Sequence, residues 1–228
     1  MSRISTVVAA LLALSCSSQS AFGIEIATEA ADLGWYNSSG IHQSFNENTL
    51  TGQLGEEYRS FYLWYLPSFS GTVTSARIEF DLQYSLGSAS LAPQTGRMFD
   101  VSAGSLATLT LDDGGGFGGR IFDDLGSGSS YGDFVISSAD DRTIFTVILN
   151  SNALSALGAS AGQPFALGMR NVTESGLDFF LFSSMSVRGS QKLFVDVTPT
   201  TAVPEPDTWL LMLGGLALLA RRRVRRHV

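Results

Sequence analysis

The stretch "ARIEFDLQY" (76–84) alternates without a break. Ala76, Ile78, Phe80, Leu82 and Tyr84 fall on one side of an extended chain, and Arg77, Glu79, Asp81 and Gln83 on the other. Period two over nine residues predicts a strand with one face buried and one face wet. Immediately upstream, "YRSFYLWYL" (58–66) is aromatic on both faces, the pattern of a central strand covered on both sides. Pro67 ends that run, and Ser70-Gly71 supplies a turn between the two strands.

Working outward, further strands are expected at 97–101, 133–138, 142–149, 165–170, 178–183 and 191–197, separated by Gly/Ser/Asp turns. One helix is expected, "LNSNALSALGAS" (149–160). Ser151 or Asn152 would cap it, Leu154 and Leu157 share a face, and Gly158 would stop it. Many short strands and few helices predict an all-β fold: an antiparallel β-sandwich, jelly-roll-like, with one short helix. No internal repeat recurs at a fixed period.

Composition bounds the function. Hydrophobic residues make up 44% of the 228, enough for a core. Residues 24–203 carry 19 Asp/Glu and 8 Lys/Arg, a net of −11, while five of the 14 basic residues sit in the last eight positions. An acidic body argues against nucleic acid, which needs a basic face. The single cysteine, Cys16, lies in an apolar N-terminal segment that reads as a secretory signal: Arg3, an apolar run from Val7 to Leu14, then small polar residues. Cleavage is expected after Gly23, leaving a chain without disulfide or thiol chemistry.

At the other end, Trp209 to Ala220 is an uninterrupted apolar run of 12 residues. As a helix it spans about 18 Å, short of the ~30 Å hydrocarbon core. The run is preceded by Val203-Pro204-Glu205-Pro206, contains Gly214-Gly215, and stops at Arg221-Arg222-Arg223. The prolines keep the approach extended, and the arginines can snorkel to headgroups and hold the end in the cytoplasm.

These three parts, in this order, resemble a PEP-CTERM sorting signal. The resemblance implies export through the general secretion machinery by a Gram-negative bacterium. It also implies a transient inner-membrane intermediate, and processing by exosortase, a membrane transpeptidase. "FYLWYLPSFSGTVTSARIEFDL" is similar to a paired-strand element of secreted bacterial β-sandwich modules. "IFDDLGSGSSYGDFVISSADD", with the strand and helix after it, resembles uncharacterised PEP-CTERM proteins that share a "DLGSG..YG" segment. That likeness implies a β-rich secreted domain and brings no activity with it.

Other candidate chemistry is thin. His42 is the only histidine of the body, it has no Gly-x-Ser-x-Gly partner, and a loop histidine of this kind is expected at the surface. Histidine and cysteine are too few for an ordinary zinc site. Three aspartate pairs, Asp112-Asp113, Asp123-Asp124 and Asp140-Asp141, border Gly-rich turns. They are the candidates for calcium, the one cofactor considered, beside a reading as plain turn residues. "DDGGGFGGR" (112–120) lacks the Lys-Ser/Thr of a phosphate loop and reads as a flexible hairpin tip carrying Phe117. "NVT" (171–173) fits a glycosylation sequon at a strand end, where modification is not expected. Tyr58, Phe61, Tyr62, Trp64 and Tyr65 would stack on sugars if they faced solvent, and otherwise form the core.

The resulting expectation is a signal peptide (1–23), a β-sandwich domain (24–198) and a sorting signal (199–228) with a short membrane helix at 209–220. The favoured function is a non-enzymatic surface or extracellular-matrix protein associated with exopolysaccharide. A carbohydrate-binding module and a secreted glycan hydrolase stay open beside it. Exposed aromatics on a sheet face would mark the first of these, and two carboxylates facing across a cleft the second.

Overall fold

Alternating apolar positions can only be buried if a second layer covers them, and the chain supplies that layer itself. A computed structural model describes residues 23–81, 93–140, 143–173, 179–183, 191–200 and 215–216. Gly23–Thr198 form one compact unit. Its strands are β1 (Ile24–Glu29), β2 (Asp32–Asn37), β3 (Thr49–Leu54), β4 (Glu56–Tyr65), β5 (Thr72–Asp81) and β6 (Gln94–Asp100). They continue with β7 (Ser130–Ile136), β8 (Ile144–Ile148), β9 (Pro164–Asn171), β10 (Phe179–Ser183) and β11 (Gln191–Thr198). Three helices lie between them: α1 (Ala103–Leu106), α2 (Gly118–Asp124) and α3 (Ser151–Ala159).

The smaller sheet runs β1-β11-β5-β8. The larger runs β10-β3-β4-β9-β6-β7, with β2 also paired to β4. Every strand pair is antiparallel. Without β2, β3 and β10, the orders reduce to β1-β11-β5-β8 facing β4-β9-β6-β7. The chain passes from β4 to β5 across the layers, then to β6 and β7, back to β8, over to β9 and home to β11. That winding is a jelly roll, so the sandwich expectation holds down to its topology.

β5 behaves as its alternation predicts. Ala76, Ile78 and Phe80 are buried and Arg77 and Glu79 half-buried; Leu82, Gln83 and Tyr84 lie outside the described residues. Phe80 meets Tyr62 edge-on across the layers, with ring centroids 5.3 Å apart. β4 is covered on both faces. Tyr62 and Trp64 enter the core between the sheets, while Phe61 and Leu63 enter a second cluster on the outer side of the larger sheet.

The eight expected strands all form, with ends shifted by a few residues. β1, β2 and β3 were not foreseen. α3 forms where expected and packs on β5 and β7. Its cap, however, is Asn150, whose side chain accepts from the backbone N–H groups of Asn152 and Ala153, and Gly158 sits inside the helix. The larger departure is the segment between β6 and β7. The expected hairpin tip at 112–120 is instead a 3-10 turn (Asp112–Gly116) followed by α2. With α1 it covers the outer face of β4 and β9 by burying Leu109, Ile121, Phe122 and Leu125 against Tyr36, Phe61 and Ala166. "One short helix" is therefore too few.

Among the described residues no helix is long and apolar enough to cross a membrane. The expected signal peptide (1–23) and the tail (199–228) lie outside the described residues, apart from Gly23, a stub after β11, and Gly215 and Leu216, which sit in a helical turn.

Candidate functional site

The covering segment is locked to the body through the loop after β2. His42 is only 3% exposed, which corrects the expectation of a surface histidine. Its ring lies on Tyr36 at 4.6 Å and meets Phe61 edge-on at 5.4 Å. Its Nδ1 lies 2.9 Å from the Trp35 carbonyl, an acceptor only, so Nδ1 carries a proton. Burial lowers the His42 pKa below its ordinary value; the Trp35 carbonyl and the nearby Asp32, Asp112 and Asp113 oppose that shift. The Tyr36 hydroxyl donates to the Leu109 carbonyl at 2.7 Å, and burial raises its pKa.

The aspartate pairs hold loops. Asp113 accepts the His42 N–H at 2.9 Å and returns its own N–H to the His42 carbonyl at 3.0 Å. Asp112 accepts the Ser44 N–H at 2.7 Å, which lowers its pKa. Asp124 accepts the Ser102 N–H at 2.9 Å, just ahead of α1. Asp140 accepts both the N–H and the hydroxyl of Ser137. Asp123 contributes its backbone carbonyl, to Arg59 and Ser127. Asp141 lies outside the described residues. The described members lie apart in the chain, in the 3-10 turn Asp112–Gly116, at the end of α2 and at Asp140, and among the described residues no group of three or more His, Cys, Asp or Glu side chains gathers to hold a metal.

The aromatic residues of β4 do not form a sugar platform. Phe61, Tyr62 and Trp64 are each 0% exposed. Tyr58 is half-buried against Trp35, with centroids 5.0 Å apart. Tyr65 alone is open, at 62%. Phe117 is half-exposed beside Arg120, and Asn171 and Thr173 of the sequon engage each other through Thr173 N–H and Asn171 Oδ1 at 2.9 Å.

What the sequence reading missed is a row of arginines on the outer face of the larger sheet. The β4–β9 ladder ends at Ser60↔Met169; continuing its register by one step sets Arg59 beside Arg170, whose charge acts on it, and in the β9–β6 pairing Arg170 is opposite Arg97. Next in line, across the β6–β7 pairing, Asp133 faces Arg97. Arg97 and Asp133 form a two-pronged ion pair with both bonds at 2.7 Å, which raises the arginine pKa and lowers that of the aspartate. Glu57 Oε1 receives both Arg59 Nε at 3.0 Å and Arg170 Nε at 3.1 Å. Arg59 also donates to the Phe122 carbonyl at 2.8 Å and lies 3.9 Å over the Phe122 ring, holding the end of α2. No spacing in the linear chain joins 59, 97 and 170; only the sheet register does.

Compared with known proteins, the chain matches a model of the PEP-CTERM protein-sorting motif over residues 202–226. The match takes in Val203, Pro204, Glu205, Pro206, Trp209, Gly214, Gly215, Arg221, Arg222 and Arg223. The motif marks an exported protein sorted by exosortase in Gram-negative bacteria. No curated protein matches the chain.

Proposed function

We propose that this protein is a non-enzymatic component of the cell surface or extracellular matrix, delivered by its tail and carrying its β-sandwich as the working part. The observation that carries the reading is the match at residues 202–226. After translocation the apolar run 209–220 would hold the chain in the inner membrane, with Arg221, Arg222 and Arg223 on the cytoplasmic side. Exosortase would then cut at or near Val203-Pro204-Glu205-Pro206, where prolines present an extended strand. A span of about 18 Å suits such an intermediate better than a permanent anchor.

Two features support a structural role for the body. The covering segment closes the outer face of β4, so no aromatic platform opens there. Of the paired aspartates, Asp112, Asp113, Asp124 and Asp140 are engaged with loop backbone and hydroxyl groups. On this reading the released domain joins the exopolysaccharide matrix. Fractionation of native cells tests it. Replacing Pro204, Glu205 and Pro206 with alanine should leave the uncut chain in the inner membrane, as should loss of exosortase. An unchanged distribution in both would refute the reading.

A further inference from the structure

We propose that the row Arg59–Arg170–Arg97 is a binding site for the carboxylates of an acidic polysaccharide. The inference rests on the surface or matrix role above for the ligand's location, and on the geometry of the row for its chemistry.

Residues directly opposite on antiparallel strands have Cα atoms about 4.5–5.5 Å apart, and like charges placed so are destabilising. Yet three of the eight basic residues between positions 24 and 203, in a stretch of net charge −11, stand side by side here. Arg59 has a structural duty on α2. Arg170 and Arg97 do not: their side chains remain 42% and 41% exposed. Arg170 engages Glu57 through Nε, and its two terminal nitrogens make no further hydrogen bond among the described residues. Glu57 and Asp133 offset two of the three positive charges and Asp123 acts on Arg59, so the open cationic group of the row is the Arg170 fork.

The ligand class follows from what surrounds the row. Guanidinium forks match planar carboxylates bidentately. The strongly acidic body repels any polyanion at long range, so binding depends on contacts made at the row itself. β9 and β6 are paired on both sides, so no free sheet edge lies in the row for a peptide strand to extend. Among the described residues the flanking outer positions are Thr95 and Val135, which give a hydroxyl and one small apolar contact.

The test is calorimetric titration of the full chain in detergent micelles. Arg221, Arg222, Arg223, Arg225 and Arg226 are replaced by glutamine so that the tail does not contribute. Polygalacturonate is the probe, with its methyl ester and poly-glutamate for comparison. Polygalacturonate should bind at least ~10-fold more tightly than either, and more weakly as salt rises. Arg170→Gln should weaken binding ~10-fold, as expected for a charge-assisted hydrogen bond to a carboxylate. Arg170→Lys should fall between, because the charge stays and the fork is lost. Arg120→Gln, on the exposed side of α2, should bind as the parent does. Asp133→Asn should strengthen binding several-fold by freeing Arg97. Equal binding of the ester or of poly-glutamate would overturn the proposal, as would undiminished binding by a folded Arg170→Gln. Should that variant not fold, absence of any gain in Asp133→Asn overturns it. A tail that proves uncut in cells would leave this result untouched, so the two readings fail separately.

Discussion

At His42 one residue joins three pieces of chain: its ring packs on Tyr36 of β2 and Phe61 of β4, and its backbone bonds Asp113 of the segment that covers the larger sheet. Burial depresses its pKa, so the folded state prefers the neutral ring. The unfolded chain, with a histidine pKa near ~6.5, binds that proton more readily. Stability contributed here is therefore complete above about pH 6.5 and is lost as pH falls toward the lower folded value. His42→Gln should flatten the slope of melting temperature against pH over that window and cost about 1–2 kcal/mol at neutral pH. Thermal melts of both proteins in matched buffers check it; parallel slopes would show that another group carries the pH dependence. The sequence showed a lone histidine between turn residues, without periodicity. Its burial depends on Tyr36 and Phe61 arriving from two strands, which no local pattern announces.

Among the elements, β4 and β5 were legible because their side-chain patterns state the number of covering layers. Phe80→Asp, which places an unpaired charge between Tyr62 and the core, should abolish the cooperative melt at a cost of several kcal/mol. A soluble, folded variant would show that the strand's inward face is wrongly assigned. The covering segment 101–129 was not legible. Its helices are four and seven residues long, too short to show an apolar stripe, and its glycines and aspartates favour turns. Those residues are needed for close approach. Asp113, at φ 47°, adopts the left-handed conformation that aspartate tolerates better than most. Gly168 on β9 lies so near the Leu125 backbone that a β-carbon would come within 2.5 Å of it. Gly168→Ala should push α2 off the sheet and cost about 1–3 kcal/mol, measured by urea unfolding. An unaltered midpoint would mean that the segment does not rest there.

For the molecule as a whole, the sandwich class came from strand spacing and the sorting tail from its three ordered parts. The jelly-roll winding emerges only once each strand has found its sheet, and the arginine row only once β4, β9 and β6 are in register. Without cysteine after position 16, the domain must stand on packing alone and should melt at the same temperature with and without reductant. The central claim is that the tail directs delivery and is then removed. The most direct measurement is the intact mass of the protein recovered from outside native cells. A mass that begins near Ile24 and ends at or near Val203-Pro204-Glu205-Pro206, without residues 209–228, is the predicted result. An extracellular form that still ends in Val228 would contradict the account.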